Sequence, residues 1–337
     1  MQIVFFNIMA INLTSKFMGL NIKSPIIAGS SGITSNIDNL CQLEDSGAGA
    51  VVLKSIFEEE IIYDIKRNTH IIAPVENYGD SYEYIAQHVA EDSLEKHFNL
   101  IRVAKERLSI PVIGSINCFS YENWITYARN FEQAGCDGIE LNISFLPYEP
   151  SLSCDDVERL FDDIVRTIKK VTTLPVSIKV GPYFTDMAKF LQQLSWMSIQ
   201  GITLFNKSLQ VDIDTDKMEL QNAGMLSTPE ELYNTIRWTA ILAKKMRCPI
   251  SATTGVYSAE DVVKLLLAGA GTVQVASCLY KNGTSYIKQL TQGLLDWMDA
   301  HHFDNLDQFR GKLAIQNNAK ASILFRTQFM RYFSDIK

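Results

Sequence analysis

A regular alternation of short apolar runs and longer amphipathic segments extends through this chain of 337 residues. β-Branched residues are concentrated in eight runs of strand length: Ile26–Ile33, Ala50–Ile56, Val112–Asn117, Gly138–Ser144, Val176–Val180, Ile202–Asn206, Ile250–Thr254 and Thr272–Ser277. Most of these runs precede a segment with helical period, at Tyr121–Ala134, Asp155–Val171, Asp186–Met197, Pro229–Met246, Ala259–Ala268 and Thr284–His301. Strands that alternate with helices run parallel, so the pattern predicts a parallel sheet.

Proline and glycine precede the eight runs alternately. The odd-numbered runs follow Pro25, Pro111, Pro175 and Pro249, and the even-numbered runs follow or begin at Gly49, Gly138, Gly201 and Gly271. Proline is tolerated at the first residue of a strand, and glycine suits the left-handed residue that ends a helix. Eight such units predict an α/β fold of the closed (β/α)8 TIM barrel type rather than an open doubly wound sheet. The glycines precede strands, whereas a dinucleotide-binding fingerprint must follow one.

The pattern also divides the chain into a barrel with two tails. We expect an N-terminal tail over residues 1–15, the barrel over residues 16–303, and a C-terminal tail over residues 304–337 with one helix at Ala314–Phe333. That helix is expected to pack outside the barrel or on a partner subunit. Two connections, 57–93 and 207–228, are too long for plain turns. Both follow a strand, and long loops at the carboxyl ends of barrel strands usually cover an active site.

Composition excludes several classes of protein. The net charge of −7 and the lack of a Lys/Arg-rich block argue against nucleic acid as a partner. Six widely spaced cysteines and five histidines encode no zinc or iron–sulfur pattern, and they favour a reducing, cytoplasmic setting. The apolar start, Met1–Ala10, lacks a basic n-region and is too short to span a bilayer, so we predict no membrane anchor.

The stretch Asp137–Phe145 is the strongest candidate for a strand that carries chemistry. Ile139, Leu141 and Ile143 alternate with polar residues, which indicates either a strand with one face in a core or a half-exposed strand with solvated polar groups. In a barrel, chemistry lies at the carboxyl ends of the strands. The polar and small residues there are Ser30, Ser31, Lys54, Ser55, Asn117, Asn142, Ser144, Lys179, Asn206, Thr253, Thr254, Gly255, Ala276 and Ser277.

This set of residues suits a flavin mononucleotide (FMN). Gly255, Ala276 and Ser277 end the seventh and eighth runs, where barrels often bind a phosphate through backbone N–H groups. Asparagine amides could contact the ring edge, and a lysine could stabilise negative charge on the reduced ring. A structural ion pair is the alternative interpretation for either lysine alone.

Five short motifs together carry a resemblance to a known family. Val52-Leu53-Lys54-Ser55, Glu140-Leu141-Asn142-Ile143-Ser144, Ser177-Ile178-Lys179-Val180, Leu204-Phe205-Asn206 and Gln274-Val275-Ala276-Ser277 together resemble the class 1, soluble dihydroorotate dehydrogenases. The resemblance extends from about Phe17 to Leu313. It implies an FMN-containing barrel, usually a homodimer, that oxidises dihydroorotate to orotate in pyrimidine biosynthesis, by proton abstraction at C5 and hydride transfer from C6.

The resemblance also implies roles for single residues. Lys54 would lie beside flavin and substrate, and Lys179 would face the flavin ring. Substrate would be bound by Asn142 and Asn206, with Asn77 in the substrate loop, and the expected catalytic residues are Lys54, Asn142 and Ser144. The remaining flavin contacts would come from Ser30, Ser31, Ser55, Asn117, Gly255, Ala276 and Ser277.

The main departure from the family pattern falls in the stretch Asp137–Phe145. The family has Asn-Leu-Ser-Cys-Pro-Asn with a catalytic cysteine, replaced by serine in membrane-bound relatives, whereas this chain has Phe145 at that position. Phenylalanine cannot accept a proton, so the expected base is absent. Ser144, Tyr148 and Cys154 are the nearby substitutes.

Three alternatives to a dihydroorotate dehydrogenase follow. The first is a flavin oxidoreductase with another substrate, such as a related dihydropyrimidine. The second is a barrel lyase that uses Lys179 as a Schiff-base nucleophile. The third is a flavin-binding regulatory protein without turnover. For the electron acceptor, the lack of a cysteine cluster, a dinucleotide fingerprint and a membrane-binding extension favours a small oxidant such as fumarate over a quinone or an NAD-linked subunit.

Overall fold

The computed structural model describes residues 11–72, 79–118, 120–143, 150–208 and 210–316, and the side chains among them except those of 66–91. Eight parallel strands form a closed barrel, in which each strand pairs with the next and the eighth pairs with the first to close the ring. In chain order they are β3 (Ile26–Ala28), β4 (Ala50–Val52), β6 (Val112–Asn117), β7 (Gly138–Ile143), β8 (Val176–Val180), β9 (Gly201–Leu204), β12 (Ile250–Ala252) and β13 (Thr272–Val275). The predicted (β/α)8 barrel is therefore confirmed.

Helices surround the barrel, and their apolar faces pack on the outside of the strands. They are α1 (Ile37–Asp45), α2 (Glu58–Ile72), α3 (Gly79–Arg107), α4 (Tyr121–Ala134), α5 (Cys154–Val171), α6 (Met187–Leu194), α7 (Leu232–Leu242), α8 (Ala259–Ala268), α9 (Ser277–Asn282) and α10 (Tyr286–Ala300). Helices α4 and α8 have the predicted bounds, and each ends at a glycine in the left-handed conformation, Gly135 and Gly269. Among the described residues, no helix is both long and apolar enough to cross a membrane.

The structure gives the alternating prolines a physical role. The carbonyl oxygen of each proline accepts a hydrogen bond from the second, fourth, sixth or eighth barrel strand in chain order, whichever lies beside it. The N···O distances are 2.8–3.1 Å. The donors are the backbone N–H groups of Val273, Val51, Ile139 and Ile202, to Pro25, Pro111, Pro175 and Pro249 respectively. Each proline thus extends the ladder by one acceptor at the start of a strand, where its missing N–H is not needed.

A hairpin that sequence reasoning missed closes the amino end of the barrel. Strands β1 (Ser15–Phe17) and β2 (Leu20–Ile22) pair antiparallel. Their buried side chains Phe17 and Met18 pack against Ile27, Ala50, Val52 and Ile113 of the barrel wall. Since this end is filled with apolar side chains, the polar interior lies toward the carboxyl end.

Both long connections differ from the loops that we expected. The connection 57–93 begins with a two-residue strand, β5 (Ile56–Phe57), and is largely helical, because α2 and the first half of α3 occupy it. The connection 207–228 contains a hairpin of β10 (Gln210–Asp214) and β11 (Glu219–Gly224). Residues 314–316 of the predicted C-terminal helix are not helical, and the remainder of that helix and residues 1–10 lie outside the described residues.

Gly49, immediately before β4, is a position at which the tight packing of the barrel can be tested. A Cβ atom there would overlap the carbonyl oxygen of Ser24, and backbone cannot move as a side chain can. We expect Gly49→Ala to lower the free energy of unfolding by about 3 kcal/mol, the upper end for overpacking. Gly181→Ala is the matched control, because a Cβ meets no atom within 4 Å there. Urea unfolding measures both, and equal losses would show that Gly49 is not constrained by Ser24.

Candidate active site

Strand β7 carries polar side chains into the barrel. All six of its residues are buried, so the half-exposed alternative for this stretch is wrong. Ile139, Leu141 and Ile143 belong to the core shared with the helices, while Glu140 and Asn142 are buried among polar groups of other strands. The alternation therefore divides apolar from polar neighbours rather than core from solvent.

One chain of hydrogen bonds links the first four barrel strands. The hydroxyl of Ser55 lies 2.7 Å from that of Ser115 and 3.1 Å from that of Ser30, and the backbone N–H of Ser55 donates to Ser30 Oγ at 3.0 Å. Asn142 Nδ2 donates to Ser55 Oγ at 3.3 Å. Asn142 Oδ1 is buried and accepts no hydrogen bond from any described residue. The site thus presents one free acceptor, which a bound molecule could use.

A second buried network connects β7, β8, β9 and β13. Glu140 Oε2 accepts hydrogen bonds of 2.8 Å from both Thr203 Oγ1 and Gln274 Nε2. Glu140 Oε1 lies 3.3 Å from Lys179 Nζ. Lys179 is directly opposite Asn142 on the neighbouring strand, so the two networks are adjacent.

The carboxyl end of the barrel contains a cavity with small residues on one side and a lysine on the other. Predicted site residues that line it are Ser30, Lys179, Asn206, Thr253, Thr254, Gly255, Ala276 and Ser277. Lys207, Ser227 and Gln274 also line it. Residues from five separate strand ends therefore face the same space.

The small-residue side of this cavity is shaped by backbone conformation. Thr254 and Gly255 both have positive φ, 78° and 81°. A Cβ at Gly255 would overlap the backbone nitrogen of Leu232, so this close approach requires glycine. Ser227 accepts a hydrogen bond from the N–H of Gly255 at 3.2 Å, and its hydroxyl donates to Ser277 Oγ at 2.9 Å.

Lys54 has a partner that sequence reasoning did not identify. It forms an ion pair with Glu60 in the first turn of α2. The imidazole of His97, on α3, lies close enough to Lys54 and Glu60 for both charges to act on its pKa. Burial is the largest cause that lowers the pKa of His97, the charge of Lys54 lowers it further, and Glu60 opposes the shift.

The lowered pKa of His97 predicts a pH dependence of stability. The unfolded chain takes up the proton near pH 6.5 and the folded chain only at lower pH, so stability is lost as pH falls below about 6.5. We expect His97→Gln to reduce this loss between pH 7 and pH 5, measured as the free energy of urea unfolding. His302→Asn, at an exposed position after α10, is the control. An unchanged slope for His97→Gln would contradict this account.

Several predicted residues stand apart from the cavity or outside the described chain. Lys54 and Asn117 are half-buried at the ends of their strands but do not line the cavity. Ser31 lies next to Ser30, and its buried hydroxyl has no partner among the described side chains. Ser144, Phe145 and Tyr148 lie outside the described residues, as does Asn77.

The residues that sequence reasoning missed are Glu60, Glu140, Thr203, Lys207, Ser227 and Gln274. Glu140 and Gln274 had a signal, because both occupy polar positions within strands of apolar residues. Ser227 had none, since it lies in a long connection without a periodic pattern. In the part of the chain that is described, no group of three or more His, Cys, Asp or Glu side chains could hold a metal ion.

Comparison with known proteins identifies the family. A family model described as dihydroorotate dehydrogenase matches residues 76–298, more than half of the chain. The catalytic subunit of dihydroorotate dehydrogenase B (NAD(+)) from Thermoplasma acidophilum is 27% identical over 303 residues, which cover 89% of this chain and 98% of that protein. The subunits of the same name from Pyrococcus furiosus and Methanocaldococcus jannaschii are each 26% identical, over 88% and 85% of this chain and 97% and 93% of their own lengths. The chain therefore belongs to the dihydroorotate dehydrogenase family.

Proposed function

We propose that the chain is an FMN-dependent oxidoreductase that converts (S)-dihydroorotate, or a closely related dihydropyrimidine, to the oxidised ring. Family membership gives the reaction class. The observation that carries the proposal further is the cavity where Lys179, Asn206, Gly255 and Ser277 meet. These are the residue types that the sequence analysis assigned to the flavin and its phosphate.

The cavity fits the chemistry of FMN at both ends. The wall at Gly255 carries no bulky side chain, and Ser277 keeps its hydroxyl hydrogen available because its Oγ accepts hydrogen bonds from the N–H and the hydroxyl of Ser227, which suits a phosphate. Lys179, only 6% exposed, offers a positive charge in a shielded setting. When bound, FMN would supply a two-electron acceptor that the side chains themselves lack.

The polar side chains beside the cavity would orient the substrate. Asn142 has a free buried acceptor at Oδ1, and the amide of Asn206 is half-buried in the cavity wall. A carboxamide offers both donor and acceptor, which suits the ring amides and carboxylate of dihydroorotate. Cys118, which follows β6, is an unsuitable base, because burial raises the pKa of its thiol and nearby glutamates add to the effect.

The cofactor proposal is tested by titrating FMN and riboflavin into the flavin-free protein and following flavin fluorescence. We expect one FMN per chain, and riboflavin at least about tenfold weaker because it lacks the phosphate, a difference of about 1.4 kcal/mol. Equal affinities would contradict the phosphate site, and the absence of FMN binding would contradict the proposed function.

Two other functions make distinct predictions. Phe145 at the expected base position favours a substrate other than dihydroorotate, and a screen of dihydropyrimidines for reduction of the bound flavin would reveal it. A Schiff-base lyase requires a free amine at Lys179, whereas this side chain is paired with Glu140. Colourless protein that is trapped on substrate by borohydride would favour the lyase.

The electron acceptor has two candidates. The sequence favoured a small oxidant such as fumarate, whereas the relatives named above are NAD-linked catalytic subunits. We propose to distinguish them by mixing the reduced protein with fumarate. Rapid return of the flavin absorbance would support the small oxidant, and a slow return would favour a partner subunit.

We propose further that the chain forms a homodimer through the β10–β11 hairpin. Val211, Ile213 and Leu220 share one face of this ribbon and are 59–76% exposed. Asp212, Asp214, Glu219 and Gln221 share the other face. An isolated two-stranded ribbon is marginally stable, and two copies could cover their apolar faces without bringing the acidic faces together.

Leu220 and Gln221 provide a matched pair for the dimer, because neighbouring residues in a strand point to opposite faces. We expect Leu220→Lys to raise the dimer dissociation constant by about 30-fold or more, the effect of a hot spot of about 2 kcal/mol. Gln221→Lys should change it little. Sedimentation equilibrium measures both, and a monomeric wild type or equal effects of the two variants would refute this interface.

A further inference from the structure

Glu140 carries a buried charge. The proposed contacts with the flavin phosphate and with the substrate do not involve this side chain. It is 0% exposed, and it lies at the midpoint of β7. Its carboxylate is held on three sides, by Lys179 from β8, Thr203 from β9 and Gln274 from β13. The pairs Glu140–Thr203 and Glu140–Gln274 join strands that are 63 and 134 residues apart in sequence.

Packing alone does not account for this arrangement. Moving two charges into a protein interior costs several kcal/mol per ion, and well-packed apolar residues often replace a buried pair without loss of stability. Several interior positions toward the amino end of the barrel are apolar, for example Ile27, Val52 and Ile113. The barrel therefore admits apolar side chains inside, yet it keeps a full ion pair directly beneath the cavity.

The two oxygens of the Glu140 carboxylate face different partners. Thr203 and Gln274 both donate to Oε2 of Glu140, so the second oxygen, Oε1, is left facing Lys179 Nζ at 3.3 Å. Oε1 accepts no hydrogen bond from a described residue, so its contact with Lys179 is an ion pair without hydrogen-bond geometry. Gln274 and Lys179 also line the cavity, so the carboxylate lies one side chain away from whatever fills it.

We propose that Glu140 is a positioning residue that holds the Lys179 ammonium at the flavin site and offsets its charge, and thereby sets the reduction potential of the bound flavin. This inference rests on the proposed function, since it requires FMN at the cavity. A positive charge beside the ring favours the reduced, more negative form, and a negative charge disfavours it. The Glu140–Lys179 pair keeps these two effects in balance and keeps the ammonium in one place.

The test is the two-electron reduction potential of bound FMN, measured by equilibration with a reference dye, in four proteins. Glu140→Gln keeps the shape and removes the negative charge, so the reduced flavin should be bound at least about tenfold more favourably relative to the oxidised flavin, a rise of about 30 mV. Lys179→Met should shift the ratio at least about tenfold in the opposite direction. The double variant should lie between the two single variants.

Asp137→Asn is the matched control, because it removes an ion pair with Lys105 just before the first residue of β7. Its potential should equal that of the wild type, whatever its stability. Unchanged potentials in Glu140→Gln and Lys179→Met, or shifts of the opposite sign, would overturn the proposal and show a structural pair. If Glu140→Gln does not fold, the double variant is compared with Lys179→Met, and an equal potential in these two overturns the proposal. Failure of the wild type to bind FMN would instead refute the proposed function.

Discussion

Replacing Phe145 by cysteine is expected to speed the reduction of bound flavin by dihydroorotate by about 10²–10⁴-fold, the usual contribution of a positioned general base. The family pattern places a cysteine at this position, two residues after the last residue of β7. Asn142 and Lys179 lie opposite each other on β7 and β8. The wild type should therefore bind flavin and substrate while the proton at C5 leaves slowly.

Two further variants separate the base from the space that it occupies. Phe145→Ala removes the ring without adding a base, so it should accelerate flavin reduction far less than Phe145→Cys. Phe145→Ser, the residue of membrane-bound relatives, should lie between them at neutral pH. Stopped-flow absorbance measures all three, and equal rates in the alanine and cysteine variants would show that this position does not hold the base.

Replacing Gly255 by alanine is expected to weaken FMN binding by about 100-fold, or about 3 kcal/mol. The added Cβ would overlap the backbone nitrogen of Leu232, so the loop after β12 must move. That movement would break the contact between the Gly255 N–H and Ser227, which lies against Ser277. The proposed phosphate site would lose its shape.

Gly283→Ala provides the control for backbone strain. Gly283 has a φ of +84°, close to that of Gly255, but a Cβ there meets no atom within 4 Å. Both variants should lose stability from the positive φ, and only Gly255→Ala should lose FMN affinity. Fluorescence titration with FMN and thermal unfolding measure the two effects separately, and equal FMN affinity in both variants would contradict the phosphate site.

The barrel could be predicted because its signals are local. Each barrel strand follows a proline or follows or begins at a glycine, and a glycine such as Gly135 ends the preceding helix in the left-handed conformation. The predicted ends of the strands are less accurate than their predicted positions in the chain. The first strand was predicted to reach Ile33 but ends at Ala28, because the chain then turns into a 3-10 helix at Gly32–Ser35.

The errors fall where long-range contacts decide the structure. The β1–β2 hairpin has only three residues in each strand, and its side chains meet distant residues, such as Gly138 against Met18. The connection 57–93 is an exception, because the acidic first turn Glu58–Glu60 is a local signal for a helix start. The Glu140 network was missed because its members meet only once the barrel closes.

The most direct test is the absorbance of the FMN-loaded protein after anaerobic mixing with (S)-dihydroorotate. We predict slow loss of the oxidised flavin band, with one orotate formed per flavin reduced, and faster loss in Phe145→Cys. Flavin that stays oxidised in both proteins, with no orotate formed, would contradict dihydroorotate oxidation at this site.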